Sequence, residues 1–384
     1  MTFFTILLFL LVLGLLVFVH EMGHFLTAIR NGIKAEEFGF GFPPRLVGAV
    51  KDDETGKWKV IWGKTHVHGK NTVYSLNWIP FGGFVRIKGE DQNAALEPDS
   101  FAGKPAWTRI KVLGAGVFMN FALAWVLLSL VLFIGFPQPV TDENRDRAGK
   151  SDIQILGVAK GSPAESMGIR PGDKVVTLDG VPVETLRQAQ EIIQSKRGAT
   201  LVMKIDRFGK TLSLTGTPRV ETPKNEGALG VSFAETAIIH YPWYEVPVYG
   251  AQATYNTTMA ILDALGGVVK NVFVGGKAGV ELTGPVGIVV MTKEMSDLGL
   301  PYLLQFAAIL SINLGIFNIL PIPGLDGGRI FFILIEKIKG SPVKEAVEQW
   351  AHMVGFILLL LLMVFVTIKD VINLRLLEKV TTLF

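Results

Sequence analysis

The sequence predicts a polytopic α-helical membrane protein of about four spans, with a membrane-associated β-sheet insertion on the cytoplasmic side and an α+β domain on the extracytoplasmic side. Three observations predict it. Of 384 residues, 49% are hydrophobic and only 18% charged, and the mean hydropathy is +0.41. Apolar runs long enough to cross a hydrocarbon core fall at residues 3–29, 112–136, 303–320 and 353–368. Lys and Arg are unevenly placed: none precedes Arg30, thirteen lie between Arg30 and Lys111, and four between Arg329 and Lys344. The positive-inside rule then puts both of those connections in the cytoplasm and both termini outside.

Each element follows in order. The first segment (1–30) has no basic flank and no small-residue cleavage site, and it is long enough to span, so it reads as a retained anchor. Residues 31–106 are β-rich: apolar and polar residues alternate from Trp58 to Lys88, and Ile79-Pro-Phe-Gly-Gly-Phe-Val85 supplies a Pro/Gly turn. The second span occupies 107–137. An external domain over 138–233 shows a strand, a Gly-Ser-Pro-Ala helix start, a Gly-rich turn, a second strand and the tight turn Asp179-Gly180. Within 234–300, the apolar stretch 260–274 is interrupted by Asp263 and Lys270, which suits an interfacial amphipathic helix better than a span. The third span with its following loop takes 301–330, a cytoplasmic connection 331–350, and the fourth span with the C-terminal tail 351–384.

Composition also excludes function classes. A net charge of +3 is small and dispersed, and no basic cluster alternates with aromatics, so nucleic acid is not an expected partner. There is no cysteine, hence no disulfide framework or thiolate metal site; a metal here must use His, Asp or Glu.

The chemistry begins at His20-Glu21-Met22-Gly23-His24, at the end of the first apolar run. On a helix, positions i and i+4 share a face, so His20 and His24 can offer two imidazole nitrogens to one tetrahedral Zn²⁺, with Glu21 beside it as general base. Ionisable groups in hydrocarbon are costly unless paired or metal-bound, and this segment places three within about one turn. At about 1.5 Å per residue, His20 lies roughly 25 Å along a helix entered from outside, in the cytoplasmic half of the bilayer.

A catalytic zinc site needs a third protein ligand. His66 and His68 form an HxH pair in a polar, alternating stretch and read as exposed strand histidines. His240 belongs to the opposite side of the membrane, and His352 begins the last span with no motif around it. Asp326, in Asn318-Ile-Leu-Pro-Ile-Pro-Gly-Leu-Asp-Gly-Gly328, has two readings. It closes an ordinary turn, or, if the third span runs inward, it reaches the depth of His20 and His24, with Pro321 and Pro323 breaking the helix where its backbone lines a cavity.

With these residues in view, the chain resembles the site-2 protease family of intramembrane zinc metalloproteases, and within it the bacterial RseP-type enzymes. HEMGH in a first span, NILPIPGLDGG after a later one and an intervening PDZ-like insertion carry the resemblance, which covers nearly the whole chain. It implies one Zn²⁺ per chain on His20, His24 and Asp326, with Glu21 as catalytic base. It further implies that Asn313 and Asn318 handle substrate, two asparagines in an apolar helix that otherwise bond to a neighbouring helix. Glu37-Phe-Gly-Phe-Gly-Phe42 and the segment around Gly82 and Gly83 resemble a sheet that dips toward the membrane and holds an extended substrate at its edge. Asn120, in the second span, is assigned to helix packing near the site.

Gly227-Ala-Leu-Gly-Val231 looks like the carboxylate-binding loop and strand of a circularly permuted PDZ domain, so that Gly227, Leu229, Gly230 and Val231 would receive a peptide C-terminus; a steric filter without ligand is the other use of such a domain. The resemblance implies single-span membrane protein substrates, such as anti-sigma-factor-like proteins already cut outside by a site-1 protease, or signal-peptide remnants, and a bacterial cytoplasmic (inner) membrane location. Two other classes remain: a membrane-anchored metalloprotease acting on soluble proteins, which would carry HExxH in a polar domain, and a non-enzymatic PDZ scaffold or metal transporter, which leaves Glu21 without a role.

Overall fold

The computed structural model describes residues 3–63, 69–90, 97–141, 144–207, 209–223, 226–274, 283–341 and 343–373. His66 and His68 lie outside them. In chain order the first elements are α1 (Phe3–Arg30), β1 (Ala35–Lys51), β2 (Trp58–Trp62), β3 (Val73–Ile87) and α2 (Ala106–Ile134). Next come β4 (Phe136–Pro139), β5 (Asp152–Val158), α3 (Pro163–Ser166), β6 (Lys174–Leu178), β7 (Val181–Pro182) and α4 (Leu186–Ser195). These are followed by β8 (Leu201–Arg207), β9 (Lys210–Gly216), β10 (Val231–Ile239) and α5 (Val246–Val274). Four more helices complete the described chain: α6 (Pro285–Leu298), α7 (Leu300–Ile319), α8 (Asp326–Lys339) and α9 (Glu345–Asn373).

Among the described residues, four helices are long and apolar enough to cross a membrane: Phe3–Arg30, Ala106–Ile134, Leu300–Ile319 and Ala346–Ile372. The chain divides into two units, the first made of residues 1–129, 247–296 and 303–384 and the second of 130–246 and 297–302.

In the first unit, Val12 and Leu16 of α1, Ala124 and Leu127 of α2, and Ala308 and Ile312 of α7 bury one another. Lipid tails are as apolar as these side chains, so helix association here depends on close van der Waals fit, which alanines at the contact permit. A second cluster joins Ala28 of α1, Ile87 of β3, Val112 of α2 and Ile333 of α8. His20 and His24 lie on α1 between the two clusters, so packing on both sides fixes the helix that carries them. The stretch read as interfacial is part of a longer helix, α5, whose Ala253, Ile261 and Leu265 pack against the first cluster. Trp125 Nε1 of α2 donates to the Pro247 carbonyl at 2.8 Å near the start of α5.

The sheet of this unit has the order β2-β1-β3. Both long strands bend, so Gly39 of β1 pairs with Phe84 on one side and Ser75 on the other. Aromatic rings hold the sheet on α1: Phe38 stacks on Phe25 with centroids 4.4 Å apart and meets Phe18 at 5.3 Å.

The second unit contains a seven-stranded sheet of order β4-β10-β5-β6-β8-β9, with β7 on β6. Its core alternates as a half-buried strand must: Leu201, Met203 and Ile205 of β8 are buried and Val202 and Lys204 are exposed. Ala189 and Ile193, four apart on α4, close over it. Asp173, 1% exposed, accepts from Arg207 Nε and Nη2, each at 2.7 Å. β10 continues to Ile239, beyond the expected domain end at 233, because residues 236–239 pair with β4. Correspondingly, 136–137, read as the end of a span, belong to a strand; Gly135 at φ +98° followed by Pro137 ends α2.

Candidate metal centre and its surroundings

α1 projects the buried His20 and His24 from one face. α7 stops at Ile319, because Pro321 and Pro323 cannot continue its ladder, and the chain re-enters a helix at Asp326. The turn reading of Asp-Gly-Gly is thereby corrected: Asp326 is the first residue of α8, where the helix dipole favours a carboxylate, and Gly327 and Gly328 form its first turn. α8 then occupies the first part of the segment expected to be a plain connection.

Three donor atoms converge. Asp326 Oδ2 lies 3.0 Å from His20 Nε2 and 3.4 Å from His24 Nε2, and the two nitrogens are 3.1 Å apart. Donors about 2.0–2.1 Å from a tetrahedral ion stand about 3.3 Å from one another, so this triangle has the size of one tetrahedral face. Two imidazole nitrogens and a carboxylate suit zinc. Among the described residues, this is the one group of three such side chains whose donor atoms all lie within 4.8 Å.

α2 sets the rings. His24 Nδ1 donates to the Val112 carbonyl at 2.8 Å. The side-chain amide of Asn120, which is fully buried, lies 3.0 Å from His20 Nδ1. Its Oδ1 has no partner when the NH₂ end faces the ring; a half-turn of the amide lets Oδ1 accept from Nδ1–H. Each ring then carries its proton on Nδ1 and turns an Nε2 lone pair to the third donor. Gly116 admits this approach, since a β-carbon there would stand 2.7 Å from His20 Cε1.

Asn120 therefore does more than pack helices. Part of this is visible in the sequence: Asn120 is a polar residue in an apolar helix, four residues after Gly116, whereas Val112 acts through its carbonyl, which no side chain announces. Ser311 of α7, which carries no signal in the sequence, donates from Oγ to the Asn120 carbonyl at 2.8 Å and ties α7 to the same face.

Glu21 follows His20, half-buried, within electrostatic reach of His20, His24 and Asp326. Asn318 Nδ2 lies 3.4 Å from His20 Nε2, so the structure brings it to the centre. Asn313 is half-buried on α7, five residues or about 7.5 Å nearer its start. Gly82 and Gly83 meet α1 directly: a β-carbon on Gly82 would stand 2.6 Å from Val17 Cγ1, and one on Gly83 3.1 Å from Phe18 Cα. Their lack of side chains lets β3 lie against the helix just before His20.

In the second unit, Gly227, Leu229, Gly230 and Val231 form the loop entering β10. Gly230, at φ +76°, donates its N–H to the Gly227 carbonyl at 3.0 Å. Leu229 is 1% exposed with its side chain in the core, so it would meet a ligand through its backbone, as the expected carboxylate-binding loop requires.

The sequence profile of peptidase family M50 matches residues 8–62 and 56–362. The Regulator of sigma-W protease RasP of Bacillus subtilis is 30% identical over 448 residues, covering 96% of this chain and 98% of its own. The zinc metalloprotease RasP of Geobacillus kaustophilus is 30% identical over 450 residues, covering 94% and 96%. Among solved structures, the PDZ domain of an SdrC-like protein from Listeria monocytogenes covers 21% of this chain and 86% of its own, at 18% identity and a TM-score of 0.20.

Proposed function

Because this chain belongs to peptidase family M50, the site-2 protease family of zinc metalloproteases, we propose that it hydrolyses peptide bonds within transmembrane segments of single-span proteins. The observation that carries this reading is the His20, His24 and Asp326 triangle set among helices apolar enough to span a membrane. His20, His24 and Asp326 would hold one zinc ion. When bound, zinc supplies a Lewis acid that polarises a carbonyl and acidifies water.

The chain's own residues do the rest. Glu21 accepts a proton from the attacking water and returns it to the leaving amine nitrogen. Asn318 donates to the substrate near the centre, with Asn313 further along the same helix. Val112 and Asn120 keep both imidazoles in the required tautomer. The sheet carrying Gly82 and Gly83 holds the substrate extended through main-chain hydrogen bonds, since a helical segment hides its scissile bond.

On this reading both termini are extracytoplasmic, the β1–β3 sheet is cytoplasmic, and the second unit is an extracytoplasmic PDZ-like domain. That domain excludes bulky ectodomains or captures a peptide C-terminus at the loop 227–231, so substrates are first shortened outside by a site-1 protease. The name of the Bacillus relative links that protein to sigma-W regulation, which favours anti-sigma-factor-like proteins as substrates, with signal-peptide remnants as a second source.

The test is cleavage of a tagged single-span substrate, in membranes lacking related proteases, by wild type, Glu21→Gln and Asp326→Ala, with zinc quantified on each purified protein. Both variants are expected to be inactive, Glu21→Gln keeping its metal and Asp326→Ala losing most of it. Cleavage by Glu21→Gln would overturn the mechanism.

A further inference from the structure

A histidine with no sequence motif around it fastens the segment that delivers Asp326. Backbone bonds from Ile322 N–H to Leu320 and from Leu325 N–H to Ile322 give residues 320–325 their shape, and Leu320 N–H to Phe317 and Gly328 N–H to Leu325 join its ends to α7 and α8, but none of these holds the middle of the segment against a helix distant in sequence. α9 supplies that tie. Gly324 N–H donates to His352 Nδ1 at 2.8 Å. One turn further on, Gly355 lies so close that a β-carbon would stand 2.6 Å from the Pro323 carbonyl carbon. Gly324 itself has a φ of +99°, which glycine adopts at little steric cost. The His352 ring is also held from the α8 side by Phe332, with centroids 5.5 Å apart.

The chemistry of this contact is directional. To accept from Gly324, His352 must carry its proton on Nε2, leaving the Nδ1 lone pair for the loop. Gly324 is two residues before Asp326, and a ligand placed 1 Å off loses its centre. Backbone anchoring next to a ligand acts as hydrogen bonds to ligands do elsewhere, by restricting where the donor atom can go.

We propose that His352 is a positioning residue for the metal centre: by accepting Gly324 N–H and seating residues 320–325 on α9, it holds the Asp326 carboxylate opposite His20 and His24. Its consequence for metal rests on the zinc reading above; the anchoring itself does not.

The test uses the full chain in detergent, with two readouts: the rate of zinc release to a chelator, and amide exchange over residues 320–326 followed by mass spectrometry. His352→Phe keeps an aromatic ring against Phe332 and removes the acceptor, while His352→Gln restores one. His352→Phe is expected to release zinc at least about tenfold faster and to exchange faster in that segment, and His352→Gln to recover most of both. Wild-type zinc retention and protection in His352→Phe, or a His352→Gln as impaired as His352→Phe, would overturn the proposal. If His352→Phe does not fold, wild type alone decides: a Gly324 amide exchanging as fast as an exposed one overturns the anchoring, and a slow one supports it. A wild type that binds no zinc would sink the zinc reading, while the exchange data would still report on His352.

Discussion

Asn120 and His20 meet through side chains 3.0 Å apart, on the side of the imidazole away from Asp326. The pair lies 100 residues apart in the chain and is fully enclosed on the Asn120 side. Asn120→Leu keeps a side chain of similar size but leaves Nδ1–H of His20 buried without an acceptor, so the ring loses its tautomer bias. Zinc affinity is expected to fall about 10- to 100-fold, read by chelator competition, while Asn120→Asp, which keeps an acceptor, binds at least as tightly as wild type. Unchanged affinity in Asn120→Leu would return the residue to a packing role.

The spans are legible in the sequence because apolar length is a property of the chain itself. HEMGH is legible for the same reason: i and i+4 share a helix face wherever the helix goes. Asp326 requires more, namely that the third span end at the depth of the first, and depth has to be weighed there against an ordinary turn. Partners across helices are less accessible. Asn120 announces polarity in an apolar helix, but which neighbour it faces depends on the rotation of α2 about its axis, which packing against α1 and α7 decides. The bends in β1 and β3 are hidden because alternation gives the period of a strand and not the point where it changes partner. His352 gives no sign of its role because its partner is a backbone N–H, which has no sequence signature.

Gly82 tests the sheet separately from the metal. Its φ is +75°, and a β-carbon there would stand 2.6 Å from Val17 Cγ1, so Gly82→Val is strained in backbone and in contact. β3 should lift from α1 without touching the three donor atoms. Cleavage of a single-span substrate is expected to fall at least about tenfold, a barrier rise of about 1.4 kcal/mol, with zinc content unchanged. Wild-type cleavage by Gly82→Val would remove the sheet from substrate handling.

The Arg207 and Asp173 pair contributes to the stability of the second unit. Asp173 also accepts from Arg170 N–H at 2.8 Å, and Arg207 Nη2 donates in addition to the Gly168 carbonyl at 2.7 Å. Arg207→Leu leaves a buried carboxylate without its cation, a loss of about 3–5 kcal/mol. Limited proteolysis should then cut within 152–216, while zinc retention, which depends on the first unit, stays at the wild-type level. Loss of zinc along with the second unit would show that the two do not unfold independently.

Glu37 gives the sheet beside α1 a defined pH response. Its side chain is 5% exposed, and burial alone would raise its pKa. Hydrogen bonds from Arg45 and Ser75 and the charges of Arg45 and Arg86 outweigh that and hold it below the ordinary 4.5. Arg45 donates from Nε at 2.8 Å and Nη2 at 2.7 Å, gripping both carboxylate oxygens. A carboxyl whose folded pKa is depressed contributes its full stability above the unfolded value and loses it as pH falls through the folded one. Thermal unfolding of wild type should therefore lose an increment below about pH 4.5 that Glu37→Gln, already lacking the charge, does not lose. The quantity to measure is the difference in Tm between the two proteins from pH 7 to pH 3: it should shrink on acidification, and a constant difference would mean that the Arg45 grip adds nothing to the folded state.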